Sequence, residues 1–299
     1  MIVGVDVGGT FIKSAVLDES GVILKRGRVN TQADGGPDRV VNNIIKSIEY
    51  VWSIDVSSIG IGMPGLVDMD SGVVRIPPNF EGWDEVNLAE AIRRKFLVDV
   101  FVGNDANNYA LGEWQFGAGR GYKNLIVLTL GTGIGGALIL DGKLYTGSRF
   151  AAGELGHMTI EIDGPQCNCG NRGCLESFIG TNYFLRRANL LLRKNFALVE
   201  EVYDLALEGN KIALELFNEF GRYLGIAITN YIHIFDPDVI ILGGGVSKSF
   251  DLFKESMFKE IDKRVMKIPG RENLVLTASL EDDAGILGSF YLAKNHGRV

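Results

Sequence analysis

The stretch Met1-Ile2-Val3-Gly4-Val5-Asp6-Val7-Gly8-Gly9-Thr10-Phe11-Ile12-Lys13-Ser14-Ala15-Val16-Leu17 decides the fold. Ile2 to Val7 is a run of β-favouring residues, two glycines follow, and Phe11 to Leu17 resumes the apolar run, so the segment reads as two strands around a glycine turn. Val22 to Val29 extends the meander as a third strand. The theme returns at Asn124 to Leu130, a strand that leads through Gly131-Thr132-Gly133-Ile134-Gly135-Gly136 into a second strand, Ala137 to Leu140. Ile2-Val3 aligns with Ile126-Val127, and Ala15-Val16-Leu17-Asp18 with Leu138-Ile139-Leu140-Asp141, after a single-residue adjustment. Val239 to Leu242 ahead of Gly243-Gly244-Gly245 likewise echoes Ile59 to Ile61 ahead of Gly62-Met63-Pro64-Gly65. A duplicated unit of β-hairpin plus helix accounts for both echoes.

Between these runs, Val40, Val41, Ile44, Ile45, Ile48 and Val51 fall at helical spacing within Pro37 to Trp52, a helix with one apolar stripe to lay on a sheet. Asn87 to Phe96 reads as a helix and Val98 to Val102 as a strand, so the first half is α/β. Helical periodicity dominates Leu175 to Phe235 and returns at Phe250 to Val265 and at Asp282 to Lys294. The chain has 299 residues, 46% hydrophobic and 22% charged, which suits a folded protein of two-domain size. Its net charge of −7, with no Lys/Arg block, offers no electrostatic footprint for nucleic acid or an anionic membrane surface. The N-terminus lacks the basic region of a signal peptide, and no apolar run reaches the ~18 residues of a membrane span, so the expected location is the cytoplasm.

Gly131 to Gly136 satisfies G-x-G-x-x-G, but a dinucleotide site needs a helix after the glycines to aim its N-terminus at the pyrophosphate, and here a strand follows. What remains is a glycine hairpin, either a structural turn or a set of amides that hold phosphate oxygens. Asp6-Val7-Gly8-Gly9-Thr10 supplies the same kit plus a carboxylate able to orient Mg²⁺ through its waters; the alternative is an Asp that satisfies turn amides. Asp105 stands where a strand gives way to a helix, either as an N-cap or as the base that takes a proton from a hydroxyl during phosphoryl transfer. Gly243-Gly244-Gly245 either passes close to a flat ligand such as adenine or turns a strand toward a helix capped by Ser247. His233 sits in an apolar helical pattern and reads as a satisfied histidine.

Glu154-Leu155-Gly156-His157 and Cys167-Asn168-Cys169-Gly170-Asn171-Arg172-Gly173-Cys174-Leu175-Glu176 form the strongest local signal. All three cysteines of the chain lie within this loop, too close for a disulfide framework, and with His157 they make a Cys₃His set for zinc. Four protein ligands imply a closed structural site; the competing reading is three buried thiols in a reducing cytosol. Zinc would fix Glu154 and Glu176 together, and carboxylates accept hydrogen bonds from vicinal sugar hydroxyls.

These motifs together resemble the ROK family of sugar kinases and regulators, and within it the ATP-dependent glucokinases. Asp6 to Thr10 looks like the family's first phosphate motif, Leu130 to Gly136 like its second, Leu242 to Val246 like its adenosine motif, and the two Glu/His/Cys segments like its signature elements. The resemblance implies the actin-like ATPase, ribonuclease H-like duplicated α/β fold, with two domains around a cleft. It places a small domain at residues 1–118, joined by a C-terminal helix at 283–299, and a large domain with the zinc loop at 119–282. It implies Asp105 as catalytic base and, with Asn79, Asn104, Glu154, His157 and Glu176, as a sugar contact. Mg²⁺-ATP would be held by Asp6, Gly8, Gly9, Thr10, Lys13, Gly131, Thr132, Gly133, Gly243, Gly244 and Gly245, and zinc by His157, Cys167, Cys169 and Cys174. The expected reaction is phosphorylation of the C6 hydroxyl of a hexose, glucose first, with fructose, mannose, allose or N-acetylmannosamine as other acceptors. A non-catalytic sugar sensor and a nicotinamide enzyme are the rivals. The partners expected are sugar, ATP and further copies of the chain, as dimer or tetramer; family regulators carry an N-terminal helix-turn-helix, and only Met1 precedes the first strand here, which disfavours DNA.

Overall fold

The computed structural model describes residues 1–75, 77–78, 80–267 and 274–299. They form two compact units, one of residues 1–123, 137–152 and 278–299, the other of residues 124–136 and 153–277.

In the first unit the opening sequence forms β1 (Ile2–Val7), β2 (Phe11–Leu17) and β3 (Ile23–Asn30), followed by α1 (Pro37–Val51) and β4 (Ser58–Met63). Three short strands, β5 (Leu66–Asp68), β6 (Val73–Arg75) and β7 (Glu85–Asn87), precede α2 (Leu88–Phe96), β8 (Asp99–Asn104) and α3 (Asp105–Phe116). The main sheet runs β3-β2-β1-β4-β8, antiparallel through β1–β3 and parallel across β1, β4 and β8. Strand alternation sends Val3, Val5 and Val7 to one face, where they pack with Val40, Ile44 and Ile48 of α1 and with Leu88 and Ile92 of α2. Ile2, Ala15 and Leu17 meet Ile286 and Phe290 on the other face. α1 starts on Pro37, whose missing N–H costs nothing in a first turn, and Asn87 caps α2 by accepting from Glu90 N at 2.9 Å.

The second half repeats the plan. β9 (Leu125–Leu130), β10 (Ile134–Leu140), β11 (Lys143–Leu144), β12 (Val239–Gly243) and β13 (Val275–Thr277) lie in the order β11-β10-β9-β12-β13. The third strand of each set lies at the edge, the first is central, and the fourth and fifth add in parallel beyond it. This is the duplication expected from the sequence, with β12 in the place of β4. The helices are α4 (Glu176–Ile179), α5 (Thr181–Leu192), α6 (Val199–Leu207), α7 (Lys211–Phe235) and α8 (Phe250–Arg264). α7 begins under Asn210, whose side chain accepts from Ile212 N and Ala213 N, and it buries Leu216, Phe217, Phe220, Leu224, Ile228 and Tyr231.

The last helix, α9 (Ala284–Lys294), belongs to the first unit. It lies backbone to backbone on the sheet: a methyl on Gly4 or Gly60 would overlap the carbonyl oxygens of Ile286 and Ser289. Among the described residues no helix is long and apolar enough to cross a membrane.

Three differences from the sequence reading fall beside the glycine turns and the end of β8. β8 runs on past Val102 because Gly103 and Asn104 pair with Gly62 and Met63. β10 begins at Ile134, so Gly135 and Gly136 are strand residues and the turn contracts to Gly131-Thr132-Gly133. Ser247 lies inside a 3₁₀ turn, Gly245–Ser249, and its hydroxyl donates to Gly244 O at 2.7 Å, so it is not the cap of α8.

Candidate functional site

In the first unit the carboxyl ends of β1, β4 and β8 lie level, with Asp6 opposite Gly62 and Gly62 opposite Gly103. Parallel strands present ligand-binding side chains at this edge. Asp105 follows directly as the first residue of α3, and its Oδ1 accepts from Ala106 N at 2.9 Å. The cap of α3 is Asn104, which accepts from Asn107 N at 3.1 Å and donates through Nδ2 to Gly65 O at 3.0 Å. The N-cap alternative for Asp105 therefore falls on its neighbour.

Burial, reinforced by the charge of Asp105, pushes the Asp6 carboxyl up to about 6, against the opposing pull of Lys13. Lys13 also pairs with Asp282 at 2.9 Å. Gly8, Gly9 and Thr10 form the tip of the β1–β2 hairpin, where Gly8 N donates to Phe11 O at 2.9 Å. A residue the sequence reading overlooked braces this tip: Thr31, fully buried, donates its hydroxyl to Gly8 O at 2.6 Å and its N–H to Thr10 O at 2.9 Å. Asn79 lies outside the described residues.

In the second unit β9 and β12 also end at one level, with Gly243 opposite Thr129. Gly244 turns away with φ +83° while packed on the Leu130 backbone, a left-handed position with no room for a side chain. Gly131 and Gly245 border a cavity of about 410 Å³ whose walls include Thr181, Leu198, Tyr203 and Lys248. The wall residues carry no motif, and their scatter over α5, α6 and the turn after β12 leaves no spacing to detect. Thr181 holds the hairpin, donating to Gly131 O through both N (2.9 Å) and Oγ1 (2.8 Å).

Beside this hairpin, His157, Cys167, Cys169 and Cys174 bring their ligand atoms within 4.8 Å of one another. Cys169 Sγ lies 3.7 Å from Cys174 Sγ, and His157 Nδ1 lies 3.6 Å from Cys167 Sγ. A tetrahedral zinc with Zn–S of about 2.3 Å and Zn–N of about 2.0 Å places its ligands roughly 3.5–3.8 Å apart, so the set fits zinc in number, chemistry and spacing. Burial pushes the Cys174 thiol up to about 12, so a metal seated here displaces protons. Gly173, at φ +67°, sits on the Glu161 backbone and folds the loop back, while Asn171 Nδ2 donates to Cys174 Sγ at 3.5 Å.

The ligand His157 turns its other nitrogen toward Glu154, with Nε2 to Oε2 at 3.9 Å. Glu154 is exposed, whereas Glu176 reaches inward and accepts from Ile134 N at 2.9 Å. Hence the structure gathers Glu154, His157, Glu176, the three cysteines and Gly131–Gly133 in one unit, and Asp6, Gly8–Thr10, Lys13, Asn104 and Asp105 in the other.

The ROK family model matches residues 2–296. The chain belongs to the ROK family. It is 36% identical to the glucokinase of Thermotoga maritima, over 98% of this chain and 97% of that one. It is also 33% identical to the xylose repressor of Bacillus subtilis, over 98% of this chain and 77% of the repressor. The crystal structure of a ROK family glucokinase from Streptomyces griseus in complex with glucose and AMPPNP superposes with a TM-score of 0.85 at 32% identity, covering 98% of this chain and 99% of that one. ROK kinase structures have the actin-like ATPase fold, which is therefore the fold of this chain.

Proposed function

We propose that this ROK protein is an ATP-dependent hexokinase that transfers the γ-phosphoryl group to the C6 hydroxyl of a hexose, glucose first. The observation that carries the reading is the placement of Asp105 one residue past the end of β8, at the same sheet edge as Asp6. A carboxylate there takes the proton of the attacking hydroxyl, and Asp6 orients the waters of Mg²⁺. Asn104, Glu154, His157 and Glu176 hold the sugar; Gly8–Thr10 and Gly131–Gly133 receive phosphates. The adenosine enters the cavity beside Gly243–Gly245. His157, Cys167, Cys169 and Cys174 would hold zinc, which would supply rigid anchorage to the loop that carries Glu176. The glucokinase relatives support glucose as acceptor.

A second reading, a sugar sensor without turnover, is favoured by the similarity to xylose repressors. ADP release from Mg²⁺-ATP, measured with glucose, mannose, fructose, allose and N-acetylmannosamine, separates the two. The kinase reading expects sugar-dependent release, fastest with glucose, and a fall of about 10²–10⁴-fold in Asp105→Ala with sugar affinity retained. Sugar binding without release in the wild type selects the sensor.

A further inference from the structure

Glu176 belongs to the segment that carries the metal ligands, yet its side chain contacts the phosphate hairpin. Oε2 accepts from the backbone N–H of Ile134 at 2.9 Å, while Oε1 lies 3.8 Å from Cys167 Sγ. The space the carboxylate fills is reserved by Gly133: a methyl there would stand 2.6 Å from Oε2. Gly133 has no left-handed backbone to explain its glycine, so close approach of Glu176 is the reason for it. Next along the chain, Gly180 passes the Thr132 carbonyl and Thr181 donates twice to Gly131 O. The hairpin is thus held at Ile134 by Glu176 and at Gly131 by Thr181, two and seven residues after Cys174.

We propose that Glu176 couples the two ligands of this protein: the carboxylate that receives sugar hydroxyls also fixes the Gly131–Gly133 hairpin that receives phosphates, so each ligand tightens the other. The proposal rests on the kinase reading for its nucleotide half. A glutamate held by one N–H keeps torsional freedom, and hydroxyls donating to its remaining lone pairs remove it. Ordering that a first ligand has already imposed is ordering the second need not impose, and linkage makes the effect equal in both directions.

The test is calorimetry on the metal-replete protein with glucose and Mg²⁺-AMPPNP as probes. In the wild type, saturating glucose should tighten AMPPNP about 5–10-fold, and AMPPNP should tighten glucose by the same factor. Gly133→Ala, a change in the nucleotide hairpin, should weaken glucose about 5-fold or more with no nucleotide present, at unchanged metal content. Glu176→Ala should weaken AMPPNP several-fold in the absence of sugar and abolish the coupling. Glu176→Gln, which keeps an oxygen for Ile134 N–H, should restore AMPPNP affinity; a Glu176 that served only the sugar would leave AMPPNP alone unaffected by either substitution.

Glucose affinity within twofold of wild type in folded Gly133→Ala, or an unchanged AMPPNP affinity in Glu176→Ala, overturns the coupling. Wild-type protein that binds both ligands independently also overturns it and leaves the kinase reading standing. Binding of glucose without AMPPNP overturns the kinase reading and, with it, the coupling, whereas the glucose affinity of Gly133→Ala still decides whether the hairpin positions Glu176.

Discussion

The hydroxyl of Tyr231 donates to the carbonyl of Leu155 at 2.7 Å, deep inside the second unit. Leu155 opens the 3₁₀ turn that sets Glu154 beside His157, so a phenol on α7 supports this turn from behind. Burial raises the Tyr231 pKa well above the ordinary phenol value, which keeps it a proton donor at any working pH. Tyr231→Phe preserves the packing and leaves the Leu155 carbonyl with only the long bond from Met158 N at 3.3 Å. The expected result is about 1–3 kcal/mol less stability in urea unfolding and a several-fold rise in sugar KM with ATP KM unchanged. Equal effects on both KM values would remove the specific link to the turn.

Asp6 gives a pH dependence whose sign follows from its raised pKa. The folded protein binds its proton up to about pH 6, the unfolded chain only to about 3.8. The stability this proton confers is complete below the unfolded value and disappears as pH rises through the folded one. A shift of that size corresponds to about 3 kcal/mol. The difference in unfolding free energy between Asp6→Asn and wild type should therefore move in favour of the variant by about that amount between pH 4 and pH 7. Parallel curves for the two proteins would show that Asp6 titrates normally. On the proposed function Asp6 serves Mg²⁺ in its ionised form, so Mg²⁺ affinity should fall below pH 6 in the wild type.

The duplicated hairpins were readable because β1, β2, β9 and β10 carry uninterrupted β-favouring runs that end in glycine. The Cys₃His set was readable because its ligands are close in sequence as well as in space. Glycine also hid information. Gly135 and Gly136 looked like turn residues, but Gly136 is a strand residue whose bareness admits the backbone at Gly153. Asn104 and Asp105 are both good capping residues, and only the pairing of Asn104 with Met63 decides which one caps α3. Thr31, Thr181, Tyr203 and Tyr231 act through one or two bonds or cavity walls between segments far apart in sequence, and no periodicity announces them.

On the proposed function, metal removal should act on Glu154 and Glu176 before it acts on the fold. The loop from Cys167 to Cys174 is joined by short backbone bonds such as Cys167 N to Asn171 O, and it has little apolar anchorage of its own beyond Cys167 and Cys174. The expected stoichiometry is one zinc per chain. Chelation to metal-free protein should weaken glucose about tenfold or more while the far-ultraviolet circular dichroism is retained. Cys174→Ser should reproduce the effect without chelator. Unchanged glucose affinity in protein verified to be metal-free would separate the zinc loop from Glu154 and Glu176.

The glycines beneath α9 predict a second route by which stability and activity fall together. Gly60 in β4 lies under the Ser289 carbonyl, and Ser289 in turn donates to Val5 O at 2.8 Å, next to Asp6 in β1. One turn earlier, Gly285 faces the Asp6 carboxylate so closely that a methyl would sit 2.7 Å from its Cγ. Gly60→Ala must lift α9 from the sheet or bend β4, since both contacts are backbone, and overpacking of this kind costs about 1–3 kcal/mol or more. Gly285→Ala meets a movable side chain instead, so it should cost less stability and displace Asp6 directly. Thermal unfolding should therefore rank Gly60→Ala as the more damaging change. The apparent KM for Mg²⁺ should rank Gly285→Ala first. Reversal of either order would mean that α9 does not position Asp6.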